Sequence, residues 1–272
     1  MARQERAIRT RQAILVAAAE VFDEVGYEAA TISDVLRRSG VTKGALYFHF
    51  PSKQALAQEV LAAQVSSLPR VPEQDLKLQE SLDEALLLAH LLQNGTGDPI
   101  VQGSVRLTVD QGSARDHLNR RVPMQDWTEH NQAVFEEAKR RGEILVHVDV
   151  AALARLFVGA FTGVQVLSRI MTERADLPER VADLYRYLMP AVAAPGVLVR
   201  LDFSAERGPK VYEAALRRRE AESEAAGGTA AAEATGGTAG AATGGTSGAA
   251  AGAVAGAGSV PRTNATGATA PG

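Results

Sequence analysis

Along most of this chain apolar positions recur every three or four residues, the period of a helix with one buried face. Runs that alternate with a period of two are hard to find. Ile8, Ile14, Leu15, Ala18, Val21, Phe22 and Val25 form one such stripe, which predicts a first helix over 8–25 with Gly26 as its stop. Thr31 is placed to cap a short second helix. Asp34 gives a capping-box pair, Ile32, Val35 and Leu36 its apolar face, and Ser39-Gly40 its end. Thr42 opens another short helix that Pro51 closes, and Ser52 opens the next, which runs to about Gln64. After a link containing Pro69 and Pro72, the pattern predicts longer helices over 76–92, 99–111, 121–141, 150–172, 177–189 and 209–222. From about 221 the text turns to Ala, Gly and Thr with no aromatic, Leu or Ile. Such a segment cannot bury enough apolar surface to offset the entropy of ordering, so 221–272 is expected to be a disordered tail. The expected architecture is all-α, with a three-helix unit over 1–66, a larger helical unit over 67–220, and the tail.

Composition narrows the chemistry. The 272 residues include no cysteine, which excludes disulfides, cysteine metal sites and thiol catalysis. The charged start MARQERAIRTRQ lacks the apolar stretch of a secretory signal, and no apolar run is expected to span a membrane, so a cytoplasmic protein is expected. There is no nucleotide-binding glycine loop and no HExxH. The five histidines are scattered, and Asp126 with His130 is too little for a metal site and reads as a surface pair. No enzyme, metal or cofactor is expected.

The stretch VTKGALYFHF carries more information. Helix, Ser-Gly-Val turn, helix, with a capping Thr at each start, is a helix-turn-helix pattern. The N-terminal residues of the second helix would enter a DNA major groove. Thr42 and the free backbone N–H groups suit a phosphate, Lys43 suits guanine O6 or N7, and Gly44 lets backbone approach closely. Tyr47 shares that face. Leu46 and Phe50 point to the core. Phe48 faces either thymine methyls or a neighbouring helix. His49 and Lys53 are placed for phosphates, and Thr31 and Arg11 are assigned to the same surface. Although the net charge is -3, Arg37, Arg38, Lys43 and Lys53 form a local basic run, and Arg3, Arg6, Arg9 and Arg11 a second.

On these residues, TISDVLRRSGVTKGALYFHFPSKQAL resembles the DNA-binding domain of the tetracycline-repressor-like (TetR) family. More narrowly, ARQERAIRTRQAIL, the lone Trp127, GAFTGVQVLS and LYRYLMPAVAAPGVL look like the γ-butyrolactone receptors of actinomycetes, over most of 1–215. The resemblance implies a homodimeric, nucleoid-associated repressor of palindromic double-stranded operators. A small lactone effector would release it, and it would control antibiotic production and differentiation. It implies that 67–220 binds ligand and dimerises. A related alternative is a TetR-type regulator that senses an antibiotic or drug.

In the second unit Trp127 reads either as a core anchor or as a cavity wall, and the resemblance favours the wall. Within the apolar segment LFVGAFTGVQVLS, Thr162 and Gln165 are the few polar groups, which suits a neutral ligand in an apolar cavity. Thr162 is the candidate partner of a lactone oxygen, although a threonine in a helix also bonds back to its own backbone. Gln64, where the units join, is the remaining ligand candidate. Gly159 and Gly163, four apart, permit close helix approach at a dimer seam, which the resemblance places on the helices over 150–172 and 177–189.

Overall fold

The computed structural model describes residues 2–95, 97–110 and 116–236. Eleven α-helices occupy these residues. Three precede the link: α1 (Ala2–Ala29), α2 (Ile32–Ser39) and α3 (Lys43–His49), followed by α4 (Lys53–Ser67), which runs into it. Then come α5 (Lys77–Leu92), α6 (Pro99–Val109), α7 (Arg121–Arg140), α8 (Val150–Thr172), α9 (Leu177–Leu188), α10 (Pro195–Leu198) and α11 (Arg207–Gly236). A 3₁₀ turn at Met189–Ala191 and α10 are additions that the hydrophobic pattern was too short to register. The described residues up to 226 form one compact unit. Helix α11 continues past the expected boundary at 222. The part of the expected tail beyond 236 lies outside the described residues.

Local signals explain the helix ends. Thr31 accepts from the backbone N–H of Asp34, whose carboxylate accepts from the Thr31 N–H, completing the capping box. Thr42 and Ser52 cap α3 and α4 by accepting from the backbone N–H groups of Ala45 and Ala55, and Asp98 caps α6. Helix α5 begins at Leu76, which has no capping side chain. Glu143, far along the chain, supplies both carboxylate oxygens to the N–H groups of Lys77 and Leu78 at 2.9 Å. Helix α1 starts before its stripe and breaks at Gly26, the expected stop, before a last turn to Ala29. Ile8 is 62% exposed and Val25 48% exposed, so the buried face begins at Ile14, and past Phe22 it resumes at Tyr27 beyond the break.

Two apolar cores form, and the first crosses the expected division at residue 66. The first gathers Ile14, Phe22, Val35, Leu46, Phe50 and Leu56 from the N-terminal helices, and Ile100 and Leu107 of α6 complete it. The second fills the larger unit from α5, α7, α8 and α9, with Tyr185 hydrogen-bonded to Ser81 at its centre. Helix α6 crosses α1 so closely that a Cβ on Gly103 would lie 2.3 Å from the carbonyl oxygen of Ala19. Asp83, fully buried, accepts two hydrogen bonds from Arg207 at 2.7 and 2.8 Å and ties α11 to α5.

Helix α8 corrects one expectation. Its 23 residues are long and apolar enough to cross a membrane by length and composition. Its inner face packs in the core through Leu153, Ala154 and Phe157. Leu156, Leu167 and Ile170 remain exposed, and a Cβ on Gly159 or Gly163 would meet open space. These five positions recur at helical spacing and form one apolar stripe.

Replacing Gly103 with Ala should lower stability by about 1–3 kcal/mol, because the atoms in its way are backbone and the helices must separate. Chemical denaturation checks this, and an unchanged midpoint would show that α1 and α6 tolerate a wider spacing.

Candidate functional site

The exposed end of α3 is built by what surrounds it. Leu46 and Phe50 are buried and fix the helix on the core. Lys43 and Gly44 are then turned outward, and a Cβ on Gly44 would meet nothing within 4 Å. No packing demand explains a glycine there. Tyr47 is 42% exposed on the same side. Phe48 is 82% exposed, which removes the option that it packs on a neighbouring helix. Among the described residues its ring neighbour is His49, edge-on at 5.1 Å. Arg6, Arg9 and Lys43 are exposed with no ion pair among the described residues.

Several other basic groups are held by the protein itself. Lys53, expected at phosphates, instead donates from Nζ to the carbonyls of Tyr27 (2.8 Å), Ala30 (3.0 Å) and Glu28 (3.4 Å) and lies 4.4 Å from the Tyr27 ring centroid. The cause is the break in α1 at Gly26 (φ 75), which leaves carbonyls that the ammonium satisfies. Arg11 pairs with Glu59 and lies 5.0 Å from the Phe50 ring centroid, fastening α1 to α4. Arg38 turns inward to Glu24 at 2.8 Å, and Arg37 pairs with Asp34 at 2.6 Å. The Thr31 hydroxyl is committed to Asp34. The basic surface is therefore smaller than the sequence implied.

The four ligand candidates meet at one place. A mostly apolar cavity is lined by Gln64 of α4, Trp127 of α7, and Thr162 and Gln165 of α8. Gln64 and Gln165 are each 2% exposed, and among the described residues the Oε1 of each has no hydrogen-bond partner. Two unmet polar atoms in an apolar cavity favour an occupant that supplies partners. Thr162 Oγ1 donates to the Val158 carbonyl at 2.7 Å, so its hydroxyl bonds back to its own helix while its oxygen can still accept. Trp127 is half-buried, packing against the second core while it lines the cavity. Phe157, Phe161, Asn131 and Glu84 also line it and were not singled out in the sequence. The signal was present for most: 158, 161, 162 and 165 follow one helical face, as do 124, 127 and 131.

Glu84 and Trp127 also border a second, more polar cavity that includes Glu73, Glu80, Asp126 and His130. His130 hydrogen-bonds Glu84 at 2.9 Å rather than pairing with Asp126. That bond raises the His130 pKa above its ordinary value, against the effect of burial. A raised folded-state pKa stabilises below the unfolded value, and the gain is lost as pH rises through the folded one. Burial lowers the pKa of His90, whose contribution is lost in the opposite direction, as pH falls. Among the described residues no cluster of three or more metal-ligating side chains occurs.

The family model for bacterial regulatory proteins of the tetR family matches residues 14–60, and that for the tetracyclin repressor-like C-terminal domain matches 81–194. The A-factor receptor protein of Streptomyces griseus is 36% identical over 236 residues, 87% of this chain and 81% of that protein. The crystal structure of full-length native TylP, a TetR regulator from Streptomyces fradiae, is 58% identical. It matches with a TM-score of 0.71 over 77% of this chain and 99% of that one. CprB from Streptomyces coelicolor, in complex with its biological operator sequence, is 27% identical with a TM-score of 0.58, covering 78% and 99%.

Thermal denaturation across about pH 5.5 to 8 should show wild type more stable than His130→Gln at the acid end, with the advantage vanishing at the alkaline end. A constant difference would mean that Glu84 does not hold the imidazolium.

Proposed function

The chain belongs to the TetR family of bacterial transcriptional repressors, and from that premise we propose that it is a homodimer that binds a palindromic operator and leaves it when a small γ-butyrolactone-type molecule fills the cavity. Members of this family bind operator DNA as dimers and are not enzymes. The observation that carries the reading is the convergence of Gln64, Trp127, Thr162 and Gln165 on one apolar cavity, with Gln64 on α4, the helix that follows the recognition helix directly. The relative from Streptomyces griseus is a receptor for such a molecule, which supports the ligand class. Control of antibiotic production and differentiation, and a cytoplasmic, nucleoid-bound location, follow from the same resemblance.

In this reading α3 enters the major groove, Lys43 reads a guanine, and Thr42, Tyr47, Phe48 and His49 contact phosphates and neighbouring bases. Arg6 and Arg9 extend the contact along the backbone. Two copies of α3 lie about 34–36 Å apart across the dimer. The stripe formed by Leu156, Gly159, Gly163, Leu167 and Ile170 on α8, with exposed Tyr187 on α9, is the seam, where glycines let the helices approach. One observation favours the alternative of an antibiotic sensor. The acidic second cavity shares Glu84 and Trp127 with the first and suits a bulkier, amine-bearing effector.

Anisotropy of a labelled operator duplex selected from the gene's upstream region tests the reading, with a panel of γ-butyrolactones and amine-bearing antibiotics added. Salt-sensitive binding reversed by a lactone supports it. Reversal by an amine-bearing compound alone transfers the cavity to the alternative, and no binding at all overturns the repressor. Lys43→Ala should weaken operator binding by about 1–3 kcal/mol with the fold intact, and Trp127→Ala should keep DNA binding while losing release. Leu167→Glu should yield monomers in sedimentation and lose operator binding; a dimer that persists would move the seam elsewhere.

A further inference from the structure

Helix α8 reaches two places at once. Val158, Phe161, Thr162 and Gln165 stand at the cavity wall. One turn beyond Gln165, Arg169 donates from Nη1 to Asp23 Oδ1 and from Nη2 to the Asp23 backbone carbonyl, both at 2.6 Å. Asp23 lies on α1 beside Phe22, which is fully buried in the core beneath α3, and beside Glu24, which holds Arg38 of α2. A single side chain thus joins the cavity helix to the helix on which the DNA-facing elements are built.

The surroundings of that pair are unbalanced. Arg174, 2% exposed, donates to the Leu92 carbonyl at 3.0 Å, and its Nη2 stands 3.6 Å from Asp23 Oδ1. Its Nε and Nη2 have no hydrogen-bond partner. Arg106 of α6, which stands close to Gly26 with Asp110, also has a buried Nε without a partner. Buried donors left unmet raise the energy of this arrangement, so one that pairs them competes with it. The end of α8 is firm. Ser168 and Thr172 donate to Asp176 Oδ1 at 2.6 and 2.7 Å, and Arg180 donates to Oδ2 at 2.6 Å. A displacement at Gln165 is carried to Arg169 rather than absorbed in the turn that follows.

We propose that Arg169 is a positioning residue that couples the cavity to the DNA-binding helices: an occupant that displaces the turn of Gln165 loosens the Arg169–Asp23 pair, and α1 shifts with α3 upon it. The proposal rests on the repressor reading above. It adds a linkage through α8 to the α1–α6 contact, which the test leaves intact.

The test uses the full chain and a palindromic duplex that the wild-type protein selects from a random pool. Duplex binding is followed by anisotropy. The surroundings of Trp127, the single tryptophan, are followed by acrylamide quenching with and without duplex. Coupling is reciprocal, so duplex binding must alter the quenching of wild type. Arg169→Met and Asp23→Asn should still bind duplex but lose that alteration, and Arg169→Lys should regain part of it. A merely structural role would lower the melting temperature and leave the alteration in place. Variants that bind duplex with the wild-type alteration overturn the proposal, as does a wild type whose Trp127 does not respond at saturating duplex. If Arg169→Met fails to fold, Asp23→Asn, which keeps the side-chain shape, decides the matter. If wild type selects no duplex, the repressor reading falls and the coupling with it, an outcome visible before any variant is made.

Discussion

The contact between Gly103 and Ala19 governs how this molecule is put together. Helices packed through ordinary side chains keep their axes about 8–10 Å apart, whereas here the backbone of α1 occupies the space that a single methyl group on α6 would need. That approach brings Ile100 and Leu107 into the core beneath the recognition helix. The DNA-facing helices therefore do not have a private core. Part of their packing is supplied by a helix of the larger unit, and a shift of α6 must be felt by α1. Close-packed interiors change by switching between arrangements rather than by bending gradually, and a contact of this kind transmits displacement instead of absorbing it.

The cavity stands where such displacement would begin. Its walls come from α4, α5, α6, α7 and α8, and α4 is continuous with the chain leaving α3. Among the described residues the buried amide oxygens of Gln64 and Gln165 are unmet, so a ligand that pairs with them gains more than apolar burial alone would give. Affinity by itself moves nothing. An effector shifts the molecule only if it binds the DNA-incompetent arrangement more tightly than the competent one.

The helical period made the fold legible. Nearly every helix was visible from its stripe and its caps, because Thr31, Thr42, Ser52 and Asp98 act locally. The start of α5 was harder, since its cap is Glu143, far away in sequence. The cavity residues were legible through a few polar groups in an apolar segment and a lone tryptophan, joined to a family resemblance. Lys53 and Arg11 are held by the protein itself, which the sequence does not show. A basic residue next to a recognition helix looks the same in sequence whether it faces phosphate or a backbone carbonyl, and only the break of α1 at Gly26 and the position of Glu59 decide it. Tertiary pairs such as Arg169 with Asp23, and the extension of the first core across residue 66, leave no local signature.

The most direct measurement is the affinity of a γ-butyrolactone for the protein, determined by Trp127 fluorescence in the absence of DNA and again with saturating operator. The account predicts that operator weakens lactone binding by the same factor by which the lactone weakens operator binding, on the order of 5- to 150-fold. Equal lactone affinity in the two states would contradict it, because an occupant indifferent to the DNA-bound arrangement cannot be what releases it.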